Sequence, residues 1–235
     1  MIKEALQYIV GLKEPYLTEI EGGNYTDKPL TRITLPLAEA LNVTTLTALL
    51  DYLRDNKDEL DLSRKMIHVC SPTQVSLISS LNADESRMTF LTSSAITPTF
   101  RFGSFYDSES FNIALQAMFV DADDRAAIIR MAGNLMEEGV KTSIDDGKTQ
   151  TVVVKTGVKV VDYESVPNPV TLRPYRTFIE VEQPASKFIF RVREGGQLAL
   201  FEADGGAWRN AAMQNIKDYL KDRLEDLDIA MTILA

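Results

Sequence analysis

A chain of 235 residues is long enough for one large domain or two small ones, and it buries a core in either case. With 45% hydrophobic and 25% charged residues it has the composition of an ordinary globular protein and not of a disordered one. A net charge of -9 excludes a surface built throughout to hold a polyanion, and the single cysteine, Cys70, excludes an internal disulfide framework.

Ile2, Leu6, Ile9 and Val10 recur at helical spacing ahead of Gly11 and Pro15, which predicts a short amphipathic helix. It is too short and polar for a membrane span and has no small-residue cleavage site. No membrane is expected as a partner, and the expected location is the cytoplasm. Residues 16–20 and 30–35 alternate apolar and polar side chains about Gly22, Gly23 and Asn24, the pattern of a loose hairpin. Thr44 or Thr45 is placed to cap a helix carrying Leu46, Leu49, Leu50 and Leu53 on one face. Residues 65–70, 74–78 and 87–91 have strand composition and turn signals between them, so a three-stranded antiparallel meander is expected.

Residues 108–136 read as two helices broken at 121–124. Ser108 or Ser110 would cap the first, whose face is Phe111, Leu115, Met118 and Phe119, and Asp121 or Asp123 the second. From 140 to 201 the texture turns to β-branched runs at 151–154, 158–161, 178–181, 188–192 and 198–201. Gly205 and Gly206 then open a helix with Trp208, Ala212, Ile216, Tyr219 and Leu220 on one side, expected to dock on that β-rich block. The apolar end, 227–235, should be a strand with a partner in its own sheet or in a second subunit.

The expected fold class is therefore α+β: antiparallel sheets with packed helices, a β-rich second half, and a C-terminal helix plus strand. It is read as one unit, 1–235. Were it to divide, the place would be near 121–139, giving a sheet with helices in 1–120 and a β-rich block with a helix in 140–235.

His68 and Cys70 stand two apart on an expected strand and so share a face. As the sole histidine and sole cysteine they lack partners for a zinc site or a thiol enzyme, and a buried structural cysteine is expected, with no metal bound. Asp121, Asp123 and Asp124, then Asp145 and Asp146, then Glu202 and Asp204 are acidic groupings that caps and turns explain without magnesium. No phosphate loop, GxGxxG, GxSxG, HExxH or CxxC pattern is present, so no catalytic residue and no cofactor is assigned.

The stretch 141–193 is net positive inside an acidic chain and interleaves basic with aromatic residues. Lys155, Lys159, Arg173, Tyr175, Arg176, Lys187, Arg191 and Arg193 are its candidate contacts to a single-stranded nucleic acid. The competing reading is a half-buried strand in which Phe188, Phe190 and Val192 face the core while Lys187, Arg191 and Arg193 face water.

Residues 101–107, 166–169, 174–178 through 182–184, and 200–208 resemble blocks of an uncharacterised bacterial protein family encoded by phage and prophage. The resemblance runs from about Leu30 to the last helix. It implies a viral accessory or assembly protein in a bacterial cytoplasm, and it carries no activity and no site residue. The function expected first is a non-enzymatic phage protein that self-associates and acts through a protein-binding surface on a phage or host partner. The alternatives are a single-strand nucleic-acid-binding protein and a carboxylate- and metal-dependent enzyme.

Overall fold

The structure is a computed structural model describing residues 2–11, 15–20, 23–27, 38–82, 85–138, 140–145, 149–156, 159–193 and 195–235, with the backbone alone at 7, 10 and 134–167. The chain forms two units, Met1–Ala38 and Glu39–Ala235.

In the first unit, α1 (Ile2–Gly11) carries Ile2, Leu6 and Ile9 on one face, all exposed. β1 (Leu17–Ile20) pairs antiparallel with β2 (Gly23–Thr26), and the pairing closes at Ile20 opposite Gly23. Gly23 and Asn24 are thus strand residues and not the turn that the sequence pattern suggested. Residues 30–35, expected as the returning strand, lie outside the described residues.

The second unit is α+β. Its first half gives β3 (Leu41–Val43), α2 (Leu46–Asp55), β4 (Lys65–Ser71), β5 (Gln74–Ser79) and β6 (Thr89–Ser94). The Thr45 hydroxyl caps α2 by accepting from Ala48 N at 3.1 Å. β4, β5 and β6 form the expected antiparallel meander. The chain end, β13 (Thr232–Leu234), adds in parallel to β4 and β3 adds in parallel to β6, giving the order β13-β4-β5-β6-β3. The apolar tail thus finds its partner within the chain's own sheet.

Next come α3 (Ser108–Met118), α4 (Arg125–Glu138), β7 (Val140–Asp145), β8 (Thr149–Thr156), β9 (Lys159–Pro167), β10 (Val170–Leu172), β11 (Ser186–Arg193), β12 (Gln197–Glu202) and α5 (Trp208–Asp226). β7-β8-β9 and β10-β11-β12 are separate three-stranded antiparallel sheets. Asp107, one residue before the expected caps, caps α3 by accepting from Ser110 N at 2.8 Å. Ahead of α4 the carboxylates are used for long-range ties: Asp124 Oδ2 accepts from Thr171 N at 2.7 Å, and Asp123 Oδ2 pairs with Arg173 Nε at 2.9 Å.

Two hydrophobic clusters follow. One joins α3 and α4 to β10-β11-β12 through Phe111, Ile128, Met131, Leu172, Phe188 and Leu200. The other joins α2 and α5 to the five-stranded sheet through Leu49, Leu53, Ile67, Leu77, Ile216 and Leu220. The buried face of α5 thus docks on the first sheet and not on the β-rich block. Residues 178–181, expected as a strand, form a turn whose Phe178 and Val181 enter the second cluster. An apolar run bends this way when its two ends bury in one core, since the chain reverses between them.

Candidate ligand-binding site

After β6, residues 97–106 run as irregular chain held against β12: Gly103 N donates to Leu200 O at 2.8 Å and Tyr106 N to Leu198 O at 2.9 Å. After β10, residues 173–175 run against the end of α3, where Val120 N donates to Arg173 O and Tyr175 N to Met118 O, both at 2.9 Å. Gln183, buried, ties the loop that follows. Its Oε1 accepts from Arg176 N at 3.0 Å and its Nε2 donates to Phe178 O at 2.9 Å. Glu180 anchors the far side of that loop by accepting from Leu46 N at 2.8 Å, at the N-terminus of α2 where a carboxylate is favoured.

These segments and the start of α5 line a cavity of about 260 Å³. Its walls are largely Phe100, Phe102, Met118, Pro174, Tyr175 and Trp208, with Thr73, Thr97 and Thr99 adding hydroxyls. Arg176, with a side chain only 10% exposed, also lines it. Its guanidinium lies 4.0 Å from the Trp208 ring centroid and 5.6 and 5.8 Å from those of Phe188 and Phe102. Nη1 donates to Glu202 Oε1 at 2.7 Å and Nη2 donates to Ser186 Oγ.

Burial pulls the Arg176 guanidinium down to about 10, against the attraction of Glu202 and Asp204. It is still charged at neutral pH. Burial pushes the Asp204 carboxyl upward, but hydrogen bonding with Ser186 and the Gly206 N–H together with the Arg176 charge outweigh it, leaving Asp204 below the usual aspartate value. The turn that brings Asp204 there needs φ of +62° at Gly205 and +82° at Gly206, a region that glycine enters without strain. Charge around the wall is therefore paired: Arg176 and Arg209 stand against Glu202 and Asp204.

Two donors are left over. Arg176 Nε and Trp208 Nε1 are buried and have no hydrogen-bond partner among the described residues, and the acceptor Asp204 Oδ2 beside them is in the same state. Each such donor costs roughly 1–3 kcal/mol. The described lining holds no histidine, cysteine or carboxylate.

The sequence-derived nucleic-acid set is divided by the fold. Tyr175 and Arg176 belong to the cavity, while Arg173 is held between Asp123 and Glu182. Lys187, Arg191 and Arg193 lie on the outward face of β11, and the aromatics between them, Phe188 and Phe190, are buried in the core. That outward face instead has Phe105 and Phe201, which with Ile189, Arg191 and Arg193 line an open groove of about 420 Å³. The Arg193 guanidinium sits 3.7 Å from the Phe105 ring centroid. Lys155 and Lys159 fall on β8 and β9, where their side chains are outside the described part.

Cys70 is exposed, contrary to the buried cysteine expected, because Ile67 and Val69 take the core side of β4 and leave His68 and Cys70 to solvent. His68 Nδ1 and Cys70 Sγ are 3.5 Å apart, and among the described residues no group of three or more His, Cys, Asp and Glu side chains gathers to hold a metal. Among the described residues no helix is long and apolar enough to cross a membrane. Asp145 and Asp146 lie outside the described side chains.

Sequence alone pointed to Arg176 and Tyr175 for charge and stacking, and treated Trp208 as a core residue. It missed Phe100, Phe102 and Met118, which only the path of residues 97–106 brings to the same place. No protein-family profile, curated protein or solved structure matches this chain.

Proposed function

We propose that the protein is a non-enzymatic binding protein, in the phage accessory or assembly role that the sequence resemblance implies, and that it acts through the cavity at Arg176 and Trp208. The observation that carries this reading is the pair of buried, unpaired donors, Arg176 Nε and Trp208 Nε1, on residues that line an aromatic cavity. An aromatic pocket with a few placed polar groups is the usual form of a binding site. Catalysis by a lining hydroxyl would further need a base to activate it, and the described lining adds to its hydroxyls the Arg176 guanidinium but no histidine, cysteine or carboxylate.

Panning a random peptide library against the parent protein and against Thr99→Tyr tests the reading, since Thr99 is an exposed lining residue at which a larger ring fills the cavity. Peptides selected by the parent should converge on a shared anchor and lose binding to the variant. Selection without convergence, or equal binding to both proteins, would remove the cavity as the contact site.

A second reading has its own observation, the outward face of β11, where Phe105 and Phe201 flank Arg191 and Arg193. Such a face suits stacking and phosphate contact with a single strand. Its mark would be affinity for oligonucleotides that falls steeply with salt. Salt-independent or absent binding would set it aside.

Self-association belongs to the same proposal, with the exposed apolar face of α1 as its seat: Ile2, Leu6 and Ile9 are 80%, 57% and 57% exposed. A second copy of the chain presents the same face, as a two-fold contact requires.

A further inference from the structure

We infer that the groove on the outward face of β11 is a docking site for an acidic peptide segment of a partner protein, anchored by a large apolar side chain between its acids. The groove is that of the second reading and shares no lining residue with the cavity at Arg176. β11 turns Lys187, Ile189, Arg191 and Arg193 outward, and the register sets Thr171, Phe201, Ala199 and Gln197 beside them in turn. Across the three strands this face has three bases and no acid, on a chain whose net charge is -9. An anionic partner is drawn here and repelled by the acidic remainder of the surface.

The Arg193 guanidinium lies over the Phe105 ring, 3.7 Å from its centroid, and has no acid partner among the described residues. A ring beneath a guanidinium holds it in place without using its N–H groups, which remain for a carboxylate taken bidentately. Lys187, exposed nearer the start of β11, likewise has no acid partner among the described residues. Between these two bases the groove of about 420 Å³ is walled by Phe105, Phe201 and Ile189, and an apolar side chain gains burial there that charge alone does not give. On an extended segment the side chains of one face recur every second residue, about 7 Å, the same repeat as the outward side chains of β11. The fitting sequence therefore has an apolar residue with acids at alternate positions on either side.

A nucleotide strand meets the same charge but not the same walls. Phe105 and Phe201 stand edge to face, with centroids 6.2 Å apart and planes at 67°, and Arg193 covers one face of Phe105. No pair of parallel rings is offered to a base, whereas stacking is what holds a single strand beyond its phosphates. The walls favour the peptide.

Fluorescence anisotropy of labelled synthetic peptides with the full chain tests this at low salt, where exposed charges are least screened. The probe has glutamate, phenylalanine, glutamate and glutamate at alternate positions with serine between, and it should bind. Replacing its phenylalanine by serine, or its glutamates by glutamine, should weaken binding about tenfold or more, the scale of one buried ring or one charge-assisted pair. Arg193→Gln and Ile189→Asp, each shown to be folded by circular dichroism, should weaken it similarly. Oligothymidylate should not bind. Groove ligands carry acids and leave in a high-salt wash, so panning at high salt reads the cavity apart from the groove.

Equal binding without the phenylalanine would reduce the contact to surface charge and overturn the inference. Tighter binding of oligothymidylate, lost in Arg193→Gln, would give the face to a nucleic acid and overturn it too. So would probe binding that survives both Arg193→Gln and Ile189→Asp, or that is lost instead in Thr99→Tyr, which would place the peptide in the cavity. A probe that does not bind at low salt would overturn it outright and leave the cavity reading standing.

Discussion

Trp208 has one ring on the Arg176 guanidinium and one N–H without a partner among the described residues, and these two facts pull its substitutions apart. Trp208→Phe should leave the melting temperature nearly unchanged, because the lost packing is offset by removal of an unpaired donor. Trp208→Ala should cost about 1–3 kcal/mol in denaturant unfolding, below the ~3–5 of a fully buried aromatic, since the ring is half-buried. Glu202→Gln leaves the Arg176 charge buried without its counter-charge. The expected loss is about 1–2 kcal/mol, less than the ~3–5 for breaking a fully buried pair, because the Glu202 side chain is 38% exposed and solvent screens it. Asp204 adds a pH dependence. Its carboxyl titrates below the usual aspartate value, so its stabilisation is present above that value and is lost as pH falls through the lowered one. Urea midpoints at neutral and strongly acid pH should therefore differ less in Asp204→Asn than in the parent. An unchanged difference would mean that Asp204 makes no such contribution.

Among the elements, the loop from Pro174 to Gln183 does most to build the site, and it is the one the sequence misrepresented. Residues 178–181 carry a strand-like pattern, yet Phe178 and Val181 are buried while Ile179 is 79% exposed. Phe178→Ala should cost about 3–5 kcal/mol, as for a core aromatic, and Ile179→Ala should stay within ~0.5 kcal/mol. Val181→Ala should be costly as well; were the segment a half-buried strand in solution, Phe178 and Val181 would lie on opposite faces and only one of the two changes would be costly. Helices α2 and α5 were legible because leucines and isoleucines repeat at helical spacing, and β4 to β6 because period-two runs are separated by turn residues. The docking of α5 was not legible, since an apolar stripe shows that a helix packs but not on which sheet. The site was half legible for a similar reason. Charge and aromatic interleaving marked Tyr175 and Arg176, but Gln183, Glu180 and Phe100 act through contacts far along the chain and leave no local pattern.

In the molecule as a whole, the apolar tail that suggested an interface strand is paired with β4, so self-association now rests on α1. Light scattering at micromolar protein should give a mass above 26.2 kDa for the parent, falling toward it on dilution and in Leu6→Asp. A parent mass of 26.2 kDa at every concentration would set that part of the proposal aside. The binding role stands apart from it, because the cavity is lined within Glu39–Ala235. The most direct measurement of that role is the single indole N–H resonance of Trp208, followed while the peptides selected by panning are added to saturation. The account requires the resonance to shift with each selected peptide and to stay still in Thr99→Tyr. A resonance unmoved by peptides that bind tightly would contradict it, because the contact would then lie away from Arg176 and Trp208.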